Sequence, residues 1–476
     1  MKNQTNATDV IIFGAGPSGL AGAHELVTHN KKIIIFEKDK QVGGISKTIK
    51  FRDCYFDLGG HRFFTKSQRV NKLWNKTLGD NFLKRPRLSR IYYRNKFFNY
   101  PIKPLNAFKG LGLITSIQIL FSYLLIKLFP YKRENTFEEW TSNRFGKKLY
   151  RIFFKTYTEK LWGIPCTEIQ AEWVAQRIKG LSLLSAVKNA LLPNKNSKIK
   201  TLINEFKYPK YGPGMMYSKM AEDIKQMGGK IYTETEVLKI NHTDFTVNSA
   251  TVKNKAEQIT EETFHAKNFL SSMPITTLIK RLSPSAPEEV IQASNNLTYR
   301  SFISISVILK APNPFPDTWI YIHSPEVKMG RIQNFKNWSP HMVANDKQVA
   351  LGLEYFCTEN DELWNMKDED LIKLGLEELE KIHLGKKETF VDGFVARVPK
   401  AYPVYDRTYN KNLEVVKNYL DKFKNLQPIG RYGMFKYNNM DHSILTGIYA
   451  AENILGKEHN IWQVNADQEY HEQTKK

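Results

Sequence analysis

The sequence predicts a mixed α/β fold that opens on a Rossmann-like unit, and three observations carry that prediction. Asp9 to Phe13 is a short apolar run with the length of a buried parallel strand. Gly14-Ala15-Gly16-Pro17-Ser18-Gly19 follows it directly, ahead of a helix-like stretch from Leu20 to His29. A second strand-like run, Lys32 to Phe36, ends on the carboxylate of Glu37. Much later, Tyr299–Leu309, Val349–Phe356 and Phe390–Val398 have the alternation expected of half-buried antiparallel strands.

Within the first unit each glycine has its own task. Gly14 permits the tight turn, Gly16 lets backbone approach a pyrophosphate, and Gly19 lets helix and strand pack closely, so that phosphate meets the helix N-terminus. Glu37 stands where a carboxylate accepts both ribose hydroxyls and repels a 2′-phosphate. A dinucleotide is expected, and NAD and FAD fit this fingerprint equally.

Further along, Pro101 to Asn204 reads as helical. Inside it Gly110 to Ile126 is uncharged and flanked by Lys109 and Lys127, marginal in length for a bilayer span. Thr115, Gln118 and Ser122 recur there at helical spacing as a polar stripe, which predicts a packed amphipathic helix, with a surface-lying helix as the minor reading. The Lys-rich Leu192–Lys200 reads as a solvated loop. Lys207–Pro213 looks like a turn-rich return, Met215–Met227 a helix closed by Gly228-Gly229, and Lys230–Ile240 and Ala266–Met273 strands. Pro428 to Gly456 brings Gly430, Gly433 and Gly447 ahead of a small-residue helix.

A chain of 476 residues predicts two or three lobes. Three cysteines, Cys54, Cys166 and Cys357, neither staple such a chain nor offer zinc spacing, so a reduced, cytoplasmic setting is expected. Met1 to Asp9 is polar, which predicts no cleaved secretory signal. Lys and Arg number 70 against 48 Asp and Glu, a net charge of +22 that concentrates anions at the surface. The basic residues are spread along the chain without a nucleic-acid motif, so the expected partner is a phosphorylated small substrate rather than nucleic acid. An anionic membrane face is the secondary partner, reached from the inner side.

Gly43-Gly44-Ile45-Ser46 follows Glu37, and Phe56-Asp57-Leu58-Gly59-Gly60-His61-Arg62 comes next. Here the chain resembles the FAD-dependent superfamily of UDP-galactopyranose mutase, protoporphyrinogen oxidase and the amine oxidases. The resemblance implies FAD, held by a Rossmann-like domain assembled from discontinuous segments, with a helical lobe and an antiparallel-sheet substrate domain inserted. On that plan residues 1–95, 207–280 and 401–476 build the FAD domain, 96–206 the helical lobe and 281–400 the sheet domain.

Four stretches resemble the mutase branch. They are Tyr157-Thr158-Glu159-Lys160-Leu161-Trp162-Gly163, Tyr299-Arg300-Ser301, Tyr402-Pro403-Val404-Tyr405-Asp406 and the run from Gly430 and Arg431 through Tyr437 to Asp441. Arg177 stands one residue from the branch's mobile-loop arginine. By resemblance, His61, Arg177, Arg300 and Tyr437 are catalytic, and Tyr157, Trp162 and Tyr402 bind substrate. FAD contacts are expected from Gly14, Gly16, Pro17, Ser18, Gly19, Glu37, Lys38, Gly43, Gly44, Ile45, Ser46, Gly60, His61 and Arg62 in the first segment. Val237 follows in the second, and Gly430, Arg431, Asn439, Met440 and Ser443 in the third.

The implied reaction interconverts pyranose and furanose forms of a nucleotide sugar for surface polysaccharide synthesis. Reduced flavin N5 attacks the anomeric carbon, the nucleoside diphosphate leaves, and the sugar recloses. An external reductant, NAD(P)H or a reductase, would keep the flavin reduced. Asn439 departs from the branch pattern, which has Asp, and Arg331–Lys336 aligns only loosely with a diphosphate-binding strand, so a sugar other than galactopyranose is expected. The alternative is an FAD oxidase or desaturase of the protoporphyrinogen oxidase or amine oxidase type, and no metal is expected.

Overall fold

The computed structural model describes residues 8–171, 183, 205–255 and 261–465. Thr8–Phe13 lies inside a parallel sheet in which Lys230–Tyr232, Ile33–Phe36, Thr8–Phe13, Glu261–Ser271 and Leu426–Pro428 stand side by side. These strands come from three well-separated parts of the chain, as a discontinuous Rossmann-like domain requires. Their alternate residues feed two cores. Val10 and Ile12 pack with the helices Pro17–Thr28, Gly214–Gln226 and Met440–Ile454, whereas Ile11 and Phe13 pack with Ile275–Arg281, Glu288–Asn295 and Tyr409–Leu420. Both faces are covered, which is why the strand is continuously apolar rather than alternating.

Close approach explains the small residues. A Cβ on Gly19 would lie 2.0 Å from the Gly14 carbonyl oxygen, so the third fingerprint glycine is a packing requirement. Pro17–Thr28 and Met440–Ile454 meet as tightly, since a Cβ on Gly447 would sit 2.0 Å from the Ser18 carbonyl oxygen. The strand Glu261–Ser271 joins the parallel and antiparallel parts of one eight-stranded sheet: its later half pairs in parallel with Thr8–Phe13, and its earlier half pairs antiparallel with Thr246–Asn254.

A second sheet orders Phe390–Pro403, Tyr299–Leu309, Val349–Cys357, Arg331–Asn334, Trp319–Ile322, Ser89–Tyr93 and Lys96–Asn99. The hairpin Ser89–Asn99 joins it across the 95/96 boundary drawn from the sequence, through the parallel pairing of Ser89–Tyr93 with Trp319–Ile322. Helices Pro104–Leu111, Leu113–Leu128, Phe137–Phe145 and Thr156–Trp162 stand on the end of this sheet.

Two expectations are corrected. Lys207–Pro213 opens not on a turn but on the end of the strand Glu205–Pro209, paired with Phe82–Pro86. Phe206 and Tyr208 point inward around an outward Lys207, a short alternation that the neighbouring Pro and Gly masked. Leu113–Leu128 is helical, yet it is not packed as an amphipathic core helix: only Ile119, Tyr123 and Ile126 are buried, and most of its apolar residues face outward. Its polar groups turn partly inward instead, with Ser122 Oγ accepting the Lys148 N–H at 3.0 Å. Among the described residues no helix is long and apolar enough to cross a membrane.

Candidate functional site

The first half of the site is a cradle of glycines around one helix N-terminus. Pro17 opens Pro17–Thr28 at a position that needs no N–H donor, and Gly16 precedes it in extended conformation. Gly44 (φ +56°) comes so near that a Cβ on it would lie 3.3 Å from the Gly16 Cα. Gly430 (φ +77°) closes the third side, where a Cβ would meet Ser18 Oγ at 2.3 Å. The glycines of the first and third segments thus converge on the first turn of a helix with no acidic residue there, which suits an anionic pyrophosphate.

Glu37 lies buried at the end of Ile33–Phe36, accepting the Ala15 N–H at 2.7 Å and the Asp39 N–H at 3.0 Å. Burial raises its carboxyl above the ordinary value, opposed by these two donors. Each oxygen keeps lone-pair capacity for a ribose hydroxyl. Lys38 beside it is exposed, and Val237 is buried on Thr235–Thr243, whose Thr235 N–H donates to the Glu37 carbonyl. These residues fit a dinucleotide. Asn439 caps Met440–Ile454 in a reciprocal box with His442, an amide performing the cap that an aspartate would perform with charge. Met440 and Ser443 are buried in that helix's first turn.

The second half of the site rises from a row across the antiparallel sheet. Tyr321, Arg331 and Glu354 are successive register partners on adjacent strands and therefore share one face. Arg331 Nε lies 3.0 Å from Glu354 Oε2, and its Nη2 donates to Tyr402 Oη at 2.6 Å. Glu354 is buried and Arg331 largely so, with Gln333 Nε2 donating to Glu354 Oε1 at 2.7 Å. Above it Tyr402 stacks on Tyr437, centroids 5.8 Å apart, and the Arg431 guanidinium lies 4.2 Å from the Tyr437 ring centre. Tyr157 stacks on His323 at 4.8 Å and meets Tyr321 edge-on at 5.5 Å. Two guanidiniums against one carboxylate make this aromatic cluster net positive. Gly59 ties it to the loop ahead of His61, because a Cβ there would lie 3.8 Å from Glu354 Oε1.

Tyr157, Tyr402 and Tyr437, expected at the substrate, meet Arg431, expected at the cofactor, whose guanidinium also donates to the Ala401 and Asn438 carbonyls; other residues have more local work. Arg300 is pinned to the end of Thr156–Trp162: Nε and Nη2 reach the Leu161 and Lys160 carbonyls at 3.4 Å, and Nη1 donates to Thr358 Oγ1. Trp162 is buried beneath Tyr402 and Tyr405, its ring covered rather than open to a base. Arg62 lies 4.3 Å from the Trp319 ring centre and donates to Ser89 Oγ at 3.3 Å, a buried structural position. A Cβ on Gly60 would meet the same Trp319 ring at 2.7 Å. His61 hydrogen-bonds the Leu58 carbonyl at 2.8 Å and contacts the Ile45 backbone, so it joins the two loops. Burial pushes its pKa down to about 4, and the ring is neutral. Ser46 is buried next to Gly44. Arg177 and Leu192–Lys200 fall outside the described residues.

Glu354, Tyr321 and His323 were not among the residues singled out, and Arg331 entered only as the first residue of a loosely aligned strand. One signal pointed to Glu354: a carboxylate inside the otherwise apolar Val349–Cys357 needs a buried partner.

A family model described as flavin containing amine oxidoreductase matches residues 17–455. An L-amino-acid oxidase of Sistrurus catenatus edwardsii is 32% identical over 130 residues, 23% of this chain and 25% of that protein. A UDP-galactopyranose mutase of Mycoplasma genitalium is 27% identical over 193 residues, 37% of this chain and 44% of its own length. These alignments thus span between a quarter and under half of the curated relatives. Among solved structures, reduced UDP-galactopyranose mutase superposes with a TM-score of 0.83 at 22% identity, covering 96% of this chain and 98% of that one. Putrescine oxidase bound to putrescine gives 0.62 at 16% identity, covering 95% and 99%. At these identities the likeness shows a shared fold.

Proposed function

The chain belongs to the flavin containing amine oxidoreductase family and its cofactor is FAD, and on that premise we propose that it is a nucleotide-sugar mutase interconverting pyranose and furanose forms. The observation that carries this reading is the charge of the aromatic cluster. Arg331 and Arg431 outnumber Glu354 among Tyr157, Tyr402 and Tyr437, a surrounding that favours a diphosphate and disfavours a protonated amine. Protoporphyrinogen or polyene oxidation needs an apolar cavity instead. The mutase branch motifs at Tyr157–Gly163 and Gly430–Asp441 contribute residues to the same cluster.

When bound, reduced FAD supplies the nucleophile for the anomeric carbon. The chain's own residues then hold and orient. Arg331, fixed by Glu354 and Tyr402, presents a guanidinium that keeps its charge in a buried setting. Tyr437 and Tyr157 offer hydroxyls and ring faces to sugar and base. Neutral His61 holds the Leu58 and Ile45 loops in register. Arg300 fixes the helix that carries Tyr157.

The test is to reduce the purified holoenzyme without oxygen and screen nucleotide sugars for equal-mass products. Conversion that needs only catalytic reductant supports a mutase. Turnover by the oxidised enzyme alone, with oxygen consumed in proportion to product, would establish the oxidase instead.

A further inference from the structure

Eleven of the sixteen large hydrophobic side chains exposed in the described structure fall between Leu105 and Phe129. In Leu113–Leu128 the outward set includes Leu113, Ile114, Ile117, Leu120, Phe121 and Leu128, at the spacing of one helix face. The helix is firmly seated. A Cβ on Gly146 would lie 3.0 Å from the Tyr123 Cα, and Lys127 Nζ donates to the Asn143 carbonyl at 3.0 Å. Its apolar face is thus presented on a fixed platform, the reverse of an ordinary surface helix, and single exposed leucines elsewhere do not approach this density.

Charge identifies what covers it. Between Asp80 and Glu134 the chain carries eleven Lys and Arg and no Asp or Glu. Lys103, Lys109, Lys132 and Arg133 of this stretch are exposed around the two ends of the apolar face. Two copies meeting there would bring like charges together, whereas an anionic headgroup layer offers both a counter-charge and an apolar interior. At 16 residues the helix reaches about 24 Å, too short to span the hydrocarbon core and long enough to lie along its surface. We propose that Leu113–Leu128 lies in the plane of an anionic bilayer and docks the enzyme there, its outward leucines, isoleucines and phenylalanines in the acyl boundary and the flanking lysines on the headgroups. The helix lies close to the candidate site: its Ile119 shares one hydrophobic cluster with Tyr157, Tyr321 and Tyr437, so the docked enzyme would work next to the lipid surface.

Full-length holoenzyme is mixed with vesicles of phosphatidylcholine alone or of equal parts phosphatidylcholine and phosphatidylglycerol, and the bound fraction is measured by flotation. Partitioning is expected to be roughly tenfold or more stronger to the anionic vesicles and to fall with salt. The double variant Ile117→Glu, Phe121→Glu replaces exposed side chains and should lose vesicle binding while keeping flavin absorbance and the wild-type melting temperature. Equal, negligible recovery with both vesicle types would overturn the proposal, as would a folded variant that still floats. So would a wild-type dimer, made monomeric by the same variant, that ignores vesicles, because the face would then belong to a second copy.

Discussion

Burial decides the protonation of single residues around the site, and it does so in both directions. Asp57 accepts Thr48 Oγ1 at 2.7 Å and the Tyr208 hydroxyl, yet burial pushes its carboxyl up to about 7. An unfolded aspartate titrates at about 3.9, so the native state keeps a proton that the unfolded chain releases as pH rises. The associated stability is full below the unfolded value and is lost as pH climbs through about 7. Asp57→Asn should therefore gain on wild type with rising pH, by ~2 to 4 kcal/mol above neutrality, read as a widening difference in melting temperature between acid and mild alkali. A constant difference would show that Asp57 is not the titrating group. The histidines act oppositely: burial lowers His61 to about 4 and His323 and His442 to about 3, so their contribution is lost as pH falls below the ordinary imidazole range. Arg331→Lys keeps a cation beside Glu354 but loses the guanidinium fork to Tyr402. It should weaken nucleoside diphosphate binding roughly tenfold while leaving the flavin spectrum in place, as calorimetry and absorbance would show.

Elements are fixed largely by how closely backbones approach. Gly447→Ala places a methyl group on the Ser18 carbonyl, between the helix that receives the pyrophosphate and the helix that Asn439 caps. Substantial destabilisation is expected, on the order of 2 kcal/mol or more, together with weaker FAD retention on desalting. A variant with wild-type melting and flavin content would contradict this packing. The same physics set what the sequence could reveal. Gly14 to Gly19 and Glu37 were legible because a glycine pattern between a strand and a helix has few other uses. Tyr157, Tyr402 and Tyr437 were recognised through motif resemblance. Arg331 and Glu354 were not, since their meeting depends on a register between Arg331–Asn334 and Val349–Cys357 that no local pattern specifies. Arg300 looked like a substrate arginine because sequence does not disclose that the carbonyls ending Thr156–Trp162 lie within its reach.

At the scale of the molecule, the first and third segments close on one helix N-terminus, while the antiparallel sheet brings a positive aromatic cluster to the end of the fold that also bears the exposed apolar helix. The central proposal is that the positive aromatic cluster of Arg331, Arg431, Tyr157, Tyr402 and Tyr437 holds a diphosphate. Oxidised holoenzyme titrated calorimetrically with UDP and, separately, with putrescine tests it most directly. Saturable UDP binding that weakens in Arg331→Lys, with no heat from putrescine, is the expected result. Saturable putrescine binding with no response to UDP would contradict the claim.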